Sequence, residues 1–144
     1  MDKFTSEAVP EKPMKNYCSL RGCVSLMKDV IIKEFGILPL EIKKLNGYEN
    51  ENYLIKTEES RYIFKTYPAA KNTMSLLNAE CDALLHLQNE KPSKTPVPIP
   101  FLSGDYVKTV ELKNTPKCCR MLSFLPGKFL GEIEPNYSLI SNLG

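Results

Sequence analysis

Two charged residues, Lys65 and Glu80, have the types and the spacing that phosphate chemistry needs. Lys65 ends a short strand-like run, Arg-Tyr-Ile-Phe-Lys at 61–65, and Glu80 lies in the amphipathic helix predicted to follow. A strand lysine paired with a glutamate on the next helix is an arrangement that binds nucleotide phosphates. We therefore take this pair as the first candidate binding site.

The pattern around Glu80 favours a buried role for its carboxylate. On a helical wheel, Glu80 lies between Leu87 and Leu84, within the apolar arc that also contains Leu77 and Cys81. A carboxylate in an apolar arc is unfavourable unless a cation meets it. Lys65 is the expected cation, and it shares one strand face with Ile63, which would lie above a bound base. The alternative is a solvated strand-end lysine and an edge glutamate that reaches water.

A second candidate lies where another strand ends. The segment Cys-Arg-Met-Leu-Ser-Phe-Leu-Pro-Gly at 119–127 runs from a strand into a Pro-Gly turn. Backbone N–H and C=O groups at such an end have no ladder partner and can recognise the edge of a purine base. The alternative is an ordinary strand followed by a tight turn.

The elements that must position these residues predict a small α+β domain. Apolar residues at helical spacing indicate helices, and a period of two between turn residues indicates strands. We expect a disordered arm at 1–22, a helix at 23–35 stopped by Gly36, a three-strand meander at 39–67, a helix from 72 or 73 to about 88, an extended proline-rich link at 91–100, a fourth strand or hairpin at 101–110, a fifth strand at 118–125, and a last helix starting near 136.

Composition limits the classes of function. The chain has 144 residues, of which 42 % are hydrophobic and 25 % charged, and its net charge is +2. The lysines are interspersed with acids, so there is no basic stripe for nucleic acid. No run reaches the roughly 18 apolar residues of a membrane span, and the N-terminus lacks the apolar segment of a secretory signal. We expect a cytoplasmic protein with neither nucleic acid nor membrane as partner.

The cysteines agree with a reducing compartment. There are five, an odd number, and Cys118 and Cys119 are adjacent, which does not suit a secreted disulfide framework. With one histidine and no C-x-x-C pair, we expect no metal site in this chain.

Taken in order, these motifs resemble the N-terminal lobe of the aminoglycoside phosphotransferase and choline kinase family, and within it the hydroxylysine kinases most. The resemblance covers roughly residues 37–144. It rests on an Asn-containing hairpin at 47–53, the Tyr-Ile-Phe-Lys strand, the helix with Glu80, the Pro-Val-Pro-Ile-Pro link at 96–100 and the Arg-Met-Leu-Ser-Phe-Leu-Pro-Gly strand end at 120–127.

The resemblance implies a kinase-like small lobe, with a five-stranded antiparallel sheet and one or two packed helices, that binds ATP or GTP with magnesium. In such a lobe Lys65 would contact the α- and β-phosphates, and Glu80 would orient Lys65. The other implied contacts are Ile63 above the base, the backbone of Ser123, Phe124 and Leu125 at its edge, and Asn50 and Asn52 in the hairpin loop over the phosphates.

The catalytic parts of that family are missing from this sequence. Phosphoryl transfer needs an aspartate in an H-x-D type loop to position the acceptor hydroxyl and a second aspartate to hold magnesium. The single histidine, His86, is followed by Leu-Gln. The resemblance therefore implies the small lobe, 23–127, of a kinase for a hydroxylated amine such as 5-hydroxylysine, inactive alone. Residues 128–144 would be the linker and first helix of a missing large lobe.

A second interpretation treats the chain as a truncated, non-catalytic interaction or regulatory module. Without a large lobe, apolar side chains on the cleft side would be exposed, namely Phe124, Leu125, Phe129 and Leu130. Such a patch favours self-association or a protein partner. Indifference to nucleotide would support this interpretation.

Overall fold

The strands of this computed structural model form an antiparallel sheet with a helix on each face. It describes residues 20–48, 50–90, 95–128 and 130–142. The helices in this part of the chain are α1 (Leu20–Phe35), α2 (Thr73–Glu90) and α3 (Tyr137–Asn142), with a 3-10 turn at Leu130–Glu132. The strands are β1 (Glu41–Leu45), β2 (Glu51–Lys56), β3 (Arg61–Pro68), β4 (Pro98–Ile99), β5 (Lys108–Leu112) and β6 (Thr115–Ser123).

The predicted α+β class with an antiparallel sheet is confirmed, although the sheet has six strands in the described residues and not five. The strand order is β1-β2-β3-β6-β4, and β5 also pairs with β6. The added strand is β4, within the segment predicted to be an extended link. Pro98 pairs with Leu122 there, which is possible because an edge strand can accept a residue that lacks an N–H group.

The first helix begins earlier than predicted. It starts at Leu20 and not at residue 23, so residues 20–22 of the predicted disordered arm are helical, and the rest of that arm lies outside the described residues. The helix ends at Phe35 as predicted. Gly36 has φ +68° and its N–H donates to the Ile32 carbonyl at 2.9 Å, because glycine readily adopts the left-handed conformation that stops a helix.

The α1 face of the sheet holds the larger apolar cluster. Phe35 stacks on Phe101 with ring centroids 4.2 Å apart and meets the edge of Phe64 at 6.0 Å. Phe101 was predicted in a strand but lies in the loop after β4, where it is buried. The other buried members of this cluster are Met27, Val30, Ile31, Tyr53, Ile55, Leu112, Cys119 and Met121.

The opposite face is covered by α2. Leu77 and Cys81 of the helix pack with Cys118 of β6 and with Tyr67 of β3. Since successive strand residues point to opposite faces, Ile63, Lys65 and Tyr67 of β3 share this face. On β6 the same face carries Cys118, Arg120 and Leu122. We call it the α2 face, and it contains the predicted binding residues of β3.

Candidate functional site

Lys65 lies near the middle of the α2 face. In the strand register it is opposite Asn52 of β2 on one side and Arg120 of β6 on the other. No carboxylate oxygen of the described residues lies within ion-pair distance of its ammonium. Burial lowers the pKa of Lys65, the Arg120 charge lowers it further, and Glu80 partly opposes both effects. Lys65 is therefore a half-buried cation without a contact counter-ion.

The ion pair predicted between Lys65 and Glu80 is not formed. Glu80 Oε2 instead lies 2.6 Å from Nη2 of Arg120. The Glu80 side chain is 57 % exposed, whereas that of Arg120 is 7 % exposed, so the prediction that the carboxylate is buried in the apolar arc is also wrong. The carboxylate goes to the guanidinium because an unpaired charge costs more at a buried site than at a half-buried one.

Arg120 is the residue that sequence reasoning missed. Its Nη2 donates to the Tyr67 hydroxyl at 2.9 Å, and its guanidinium lies 5.4 Å from the Tyr67 ring centroid. Burial opposes the charged form, but Tyr67 and Glu80 together raise the pKa of Arg120. The signal for it was present in the alternation of β6, which places Arg120 on the same face as Leu122.

The predicted base-binding segment begins at the end of β6. The Ser123 N–H donates to the Val97 carbonyl at 2.8 Å, and Ser123 Oγ accepts the Val97 N–H at 2.8 Å. The Phe124 N–H donates to the Arg61 carbonyl at 3.1 Å. Two of the N–H groups expected to be free for a base thus have protein partners. The carbonyl oxygens of Ser123 and Phe124 and the main chain of Leu125 take no part in these three hydrogen bonds.

A groove of about 580 Å³ lies at the same end of the sheet. The Arg61 guanidinium lies over the Phe124 ring at 4.2 Å, and Leu125 is 42 % exposed. The groove does not include Lys65, which is further along β3. The apolar patch predicted from the sequence comprised Phe124, Leu125, Phe129 and Leu130. Of these, Phe129 lies outside the described residues and Leu130 begins the 3-10 turn. The groove is lined by Lys56, Thr57, Glu58, Glu59, Ser60, Arg61, Tyr62, Ser123 and Phe124.

The β1–β2 hairpin lies at the other end of the site. A Cβ atom on Gly47 would lie 2.2 Å from the Asn50 carbonyl oxygen and 2.8 Å from Asn52 Nδ2. The loop is therefore folded so closely on itself that only glycine fits at 47. Asn52 Oδ1 is buried and has no hydrogen-bond partner in the described part of the chain. The structure thus brings Asn52 next to Lys65, with Asn50 in the turn beyond it.

Carboxylates for a magnesium ion are not assembled at Lys65. Within the described ranges, no three His, Cys, Asp or Glu side chains are grouped so that they could hold a metal ion. Glu80, the carboxylate that acts on the Lys65 charge, is held by Arg120. The described residues therefore do not fit the magnesium ion that the family resemblance implies.

No helix in these ranges is long and apolar enough to cross a membrane.

Residues 41–140 match the phosphotransferase enzyme family, APH. The match extends over more than half of the chain. The chain belongs to this family. The matched range ends within the predicted last helix, α3, which the Asn136 side chain caps by accepting the Leu139 N–H at 2.8 Å. Comparison with curated proteins gives no match.

Solved kinase structures share the fold of this family member. A microcompartment-associated aminopropanol kinase superposes with a TM-score of 0.60 at 20 % identity, over 76 % of this chain and 34 % of that one. An amicoumacin kinase in complex with AMP-PNP, Ca²⁺ and Ami gives 0.61 at 18 %, over 72 % and 31 %. A spectinomycin phosphotransferase in complex with ADP and spectinomycin gives 0.54 at 16 %, over 69 % and 29 %. The chain spans about a third of the length of these kinases.

Proposed function

We propose that this chain is the nucleotide-binding lobe of a small-molecule kinase, and that Lys65 binds the α- and β-phosphates of ATP or GTP. The observation that carries the proposal is the half-buried Lys65 ammonium without a contact counter-ion. Taking a cation out of water is unfavourable unless an anion approaches it. Phosphate oxygens would supply that anion and use the ammonium's three donors.

Apolar side chains beside Lys65 are suited to contact the purine base of the nucleotide. Ile63 is directly opposite Leu122 in the register of β3 and β6, and both lie on the α2 face next to the two cations. An apolar pair at this position would cover the flat face of a purine. The carbonyls of Ser123 and Phe124 and the main chain of Leu125 are the backbone groups proposed to bind its edge.

The hairpin loop at 47–52 is proposed to lie over the phosphates. Asn52 faces Lys65 across the strands, and its buried Oδ1 has no hydrogen-bond partner among the described residues. Rotation of the amide would present its NH₂ group to a phosphate oxygen beside the lysine. Asn50 and the tight turn at Gly47 would hold the loop in place.

The acceptor is proposed to be a hydroxylated amine such as 5-hydroxylysine. The structural neighbours act on or bind small molecules by their names, and aminopropanol itself carries an amine and a hydroxyl group. Two neighbours contain the nucleotide ligands ADP and AMP-PNP. Transfer would need a second lobe with the magnesium and acceptor-positioning aspartates. Residues 128–144, including α3, would lead into that lobe, so the 144-residue chain alone would be inactive.

Calorimetric titration of the 144-residue chain with Mg-ATP and with Mg-GTP tests the proposal. We expect weak, saturable binding that Lys65→Met abolishes. Lys28→Met is the matched control, because Lys28 is exposed on α1, which packs on the opposite face. If the wild-type chain does not bind at millimolar nucleotide, the nucleotide role is wrong and the interaction-module interpretation takes its place.

A further inference from the structure

Strand β1 forms one edge of the sheet. Among the described residues it pairs with β2 alone, so the outer side of its main chain has no ladder partner there. The N–H and C=O groups along such an edge can pair with a strand of another chain. Leu38 and Leu40, which precede β1, are 65 % and 70 % exposed. The edge therefore offers backbone hydrogen bonds together with exposed apolar side chains.

Two opposite charges of β1 lie on the same face of the strand. Glu41 and Lys43 are both on the α2 face, whereas Ile42 between them is on the α1 face and packs against its apolar cluster. Glu41 Oε2 lies 2.6 Å from Lys56 Nζ in the neighbouring strand. Lys43 is exposed, and no carboxylate oxygen of the described residues lies within ion-pair distance of its ammonium. An exposed anion and an exposed cation thus lie two residues apart at the edge.

The second lysine of the strand does not repel an approaching strand as edge lysines usually do. Lys44 is turned towards its own sheet, because its Nζ lies 2.6 Å from Glu51 Oε1 and 5.9 Å from the centroid of the Tyr53 ring. Of the two lysines, only Lys43 therefore presents an unpaired charge at the edge. A carboxylate from another strand can neutralise it, and Glu41 of a second copy of the chain is such a carboxylate.

The charge pattern selects one register for two copies of β1 that pair antiparallel about a two-fold axis. If the axis passed through Glu41, Lys43 or Lys44, like charges would lie directly opposite each other, which is unfavourable. An axis through Ile42 places each Glu41 opposite Lys43 of the other copy and the two Ile42 side chains opposite each other. Leu40 then lies opposite Lys44, whose alkyl stem can cover it. In this register β1 is complementary to itself.

We propose that two copies of this chain associate through β1, which joins their sheets into one antiparallel sheet with two reciprocal ion pairs between Glu41 and Lys43. The inference goes beyond the proposed function and does not depend on nucleotide. One short strand buries less surface than the roughly 800 Å² per partner of a stable complex, so the dimer should dissociate on dilution. Salt should weaken it as well, because exposed ion pairs are screened.

Analytical ultracentrifugation of the 144-residue chain, at concentrations up to about 1 mM, is the first test. We expect a reversible equilibrium between monomer and dimer. Lys43→Glu places a carboxylate opposite Glu41 in both ion pairs and should weaken the dimer by about tenfold or more. Lys28→Glu makes the same change of charge on the exposed surface of α1 and should leave the dimer intact. A wild-type chain that stays monomeric, or a Lys43→Glu dimer as strong as the wild type, would overturn the inference.

A mixing experiment distinguishes this register from other modes of association. Glu41→Lys gives a chain with a cation at both positions, and Lys43→Glu gives a chain with an anion at both. Neither variant should associate with itself, whereas an equimolar mixture should form heterodimers. Glu41→Lys also loses the exposed ion pair with Lys56, which contributes little to folding, and thermal unfolding of each variant checks this. A mixture of folded variants without heterodimers would contradict the register.

Cross-linking with a carbodiimide identifies the contact in the unaltered chain. The reagent joins a carboxylate to an adjacent ammonium as an amide and is itself converted to a urea. In a mixture of ¹⁴N and ¹⁵N chains, links between Glu41 and Lys43 of differently labelled peptides should appear at high concentration and vanish on dilution. The link between Glu41 and Lys56 within one chain is the internal control and should persist at every concentration. If mixed-label links form only at other residues, the interface lies outside β1 and the inference is wrong.

Discussion

Arg120 lies directly opposite Lys65 in neighbouring antiparallel strands, and both side chains point to the face that α2 covers. Two like charges in this relation are unfavourable unless each finds a partner. Arg120 has Glu80 at 2.6 Å and the Tyr67 hydroxyl at 2.9 Å. Lys65 has neither, and this asymmetry defines the site from which the following predictions are derived.

Lys65→Met should stabilise the chain in the absence of ligand. The substitution removes a half-buried cation that faces Arg120 and keeps a side chain of similar length on the sheet. We expect the free energy of unfolding to rise by roughly 1 kcal/mol, measured by urea denaturation. Lys28→Met on the exposed surface of α1 should change it little. A loss of stability in Lys65→Met would show that the ammonium has a favourable partner.

The gain in stability of Lys65→Met over the wild type should decrease at alkaline pH. The folded state lowers the pKa of Lys65, so between that value and the unfolded value of about 10.4 the unfolded chain binds more protons. In that window the wild type becomes more stable relative to the variant as the pH rises. At neutral pH the full destabilisation by the half-buried charge of Lys65 is present. Urea denaturation of both chains from about pH 7 to about pH 10 should show the two curves converging. Parallel curves would contradict the lowered pKa.

Glu80→Gln should destabilise the fold although Glu80 is more than half exposed. The neutral amide can accept a hydrogen bond from Arg120 but leaves its buried charge uncompensated. We expect a loss of about 1–2 kcal/mol, below the cost for a fully buried pair. The control is Glu59→Gln in the exposed β2–β3 turn. If both variants lose the same amount of stability in thermal unfolding, the ion pair between Arg120 and Glu80 makes no specific contribution.

Gly47→Ala should disturb the hairpin loop. The added Cβ would lie 2.2 Å from the Asn50 carbonyl oxygen, so the backbone of the turn must move. We expect a loss of roughly 1–3 kcal/mol in stability together with weaker nucleotide binding. Gly131→Ala is the control, because, apart from its chain neighbours, no atom of the described residues lies within 4 Å of the corresponding Cβ there. Wild-type stability in Gly47→Ala would show that the loop relaxes freely.

The Cys119 thiol should be unreactive in the folded chain. Burial, with a further contribution from Cys118, raises its pKa to about 12, and the thiolate is the nucleophile in alkylation. We expect no carbamidomethylation of Cys119 by iodoacetamide at about pH 8, as seen by mass spectrometry of its peptide, and complete reaction in urea. Fast labelling under native conditions would show that β6 opens readily.

Local chemistry explains why much of the fold could be predicted. The stop of α1 at Gly36, the meander of β1 to β3 and the cap of α3 by Asn136 each depend on residues close together in the chain. β4 was missed because a two-residue strand has no period of its own. It exists through its pairing with β6 and through the Val97 to Ser123 hydrogen bonds.

The sequence by itself determined which residues face the site, since strand alternation puts Ile63 and Lys65 on one face and helix periodicity puts Glu80 near it. Only the tertiary structure decided which cation holds the carboxylate. That choice depends on the register of β6 against β3, which sets Arg120 beside Lys65, and on how deeply each cation is buried. Both follow from the packing of segments far apart in the chain, and ion-pair preference follows burial because the cost of an unpaired charge increases as water is excluded.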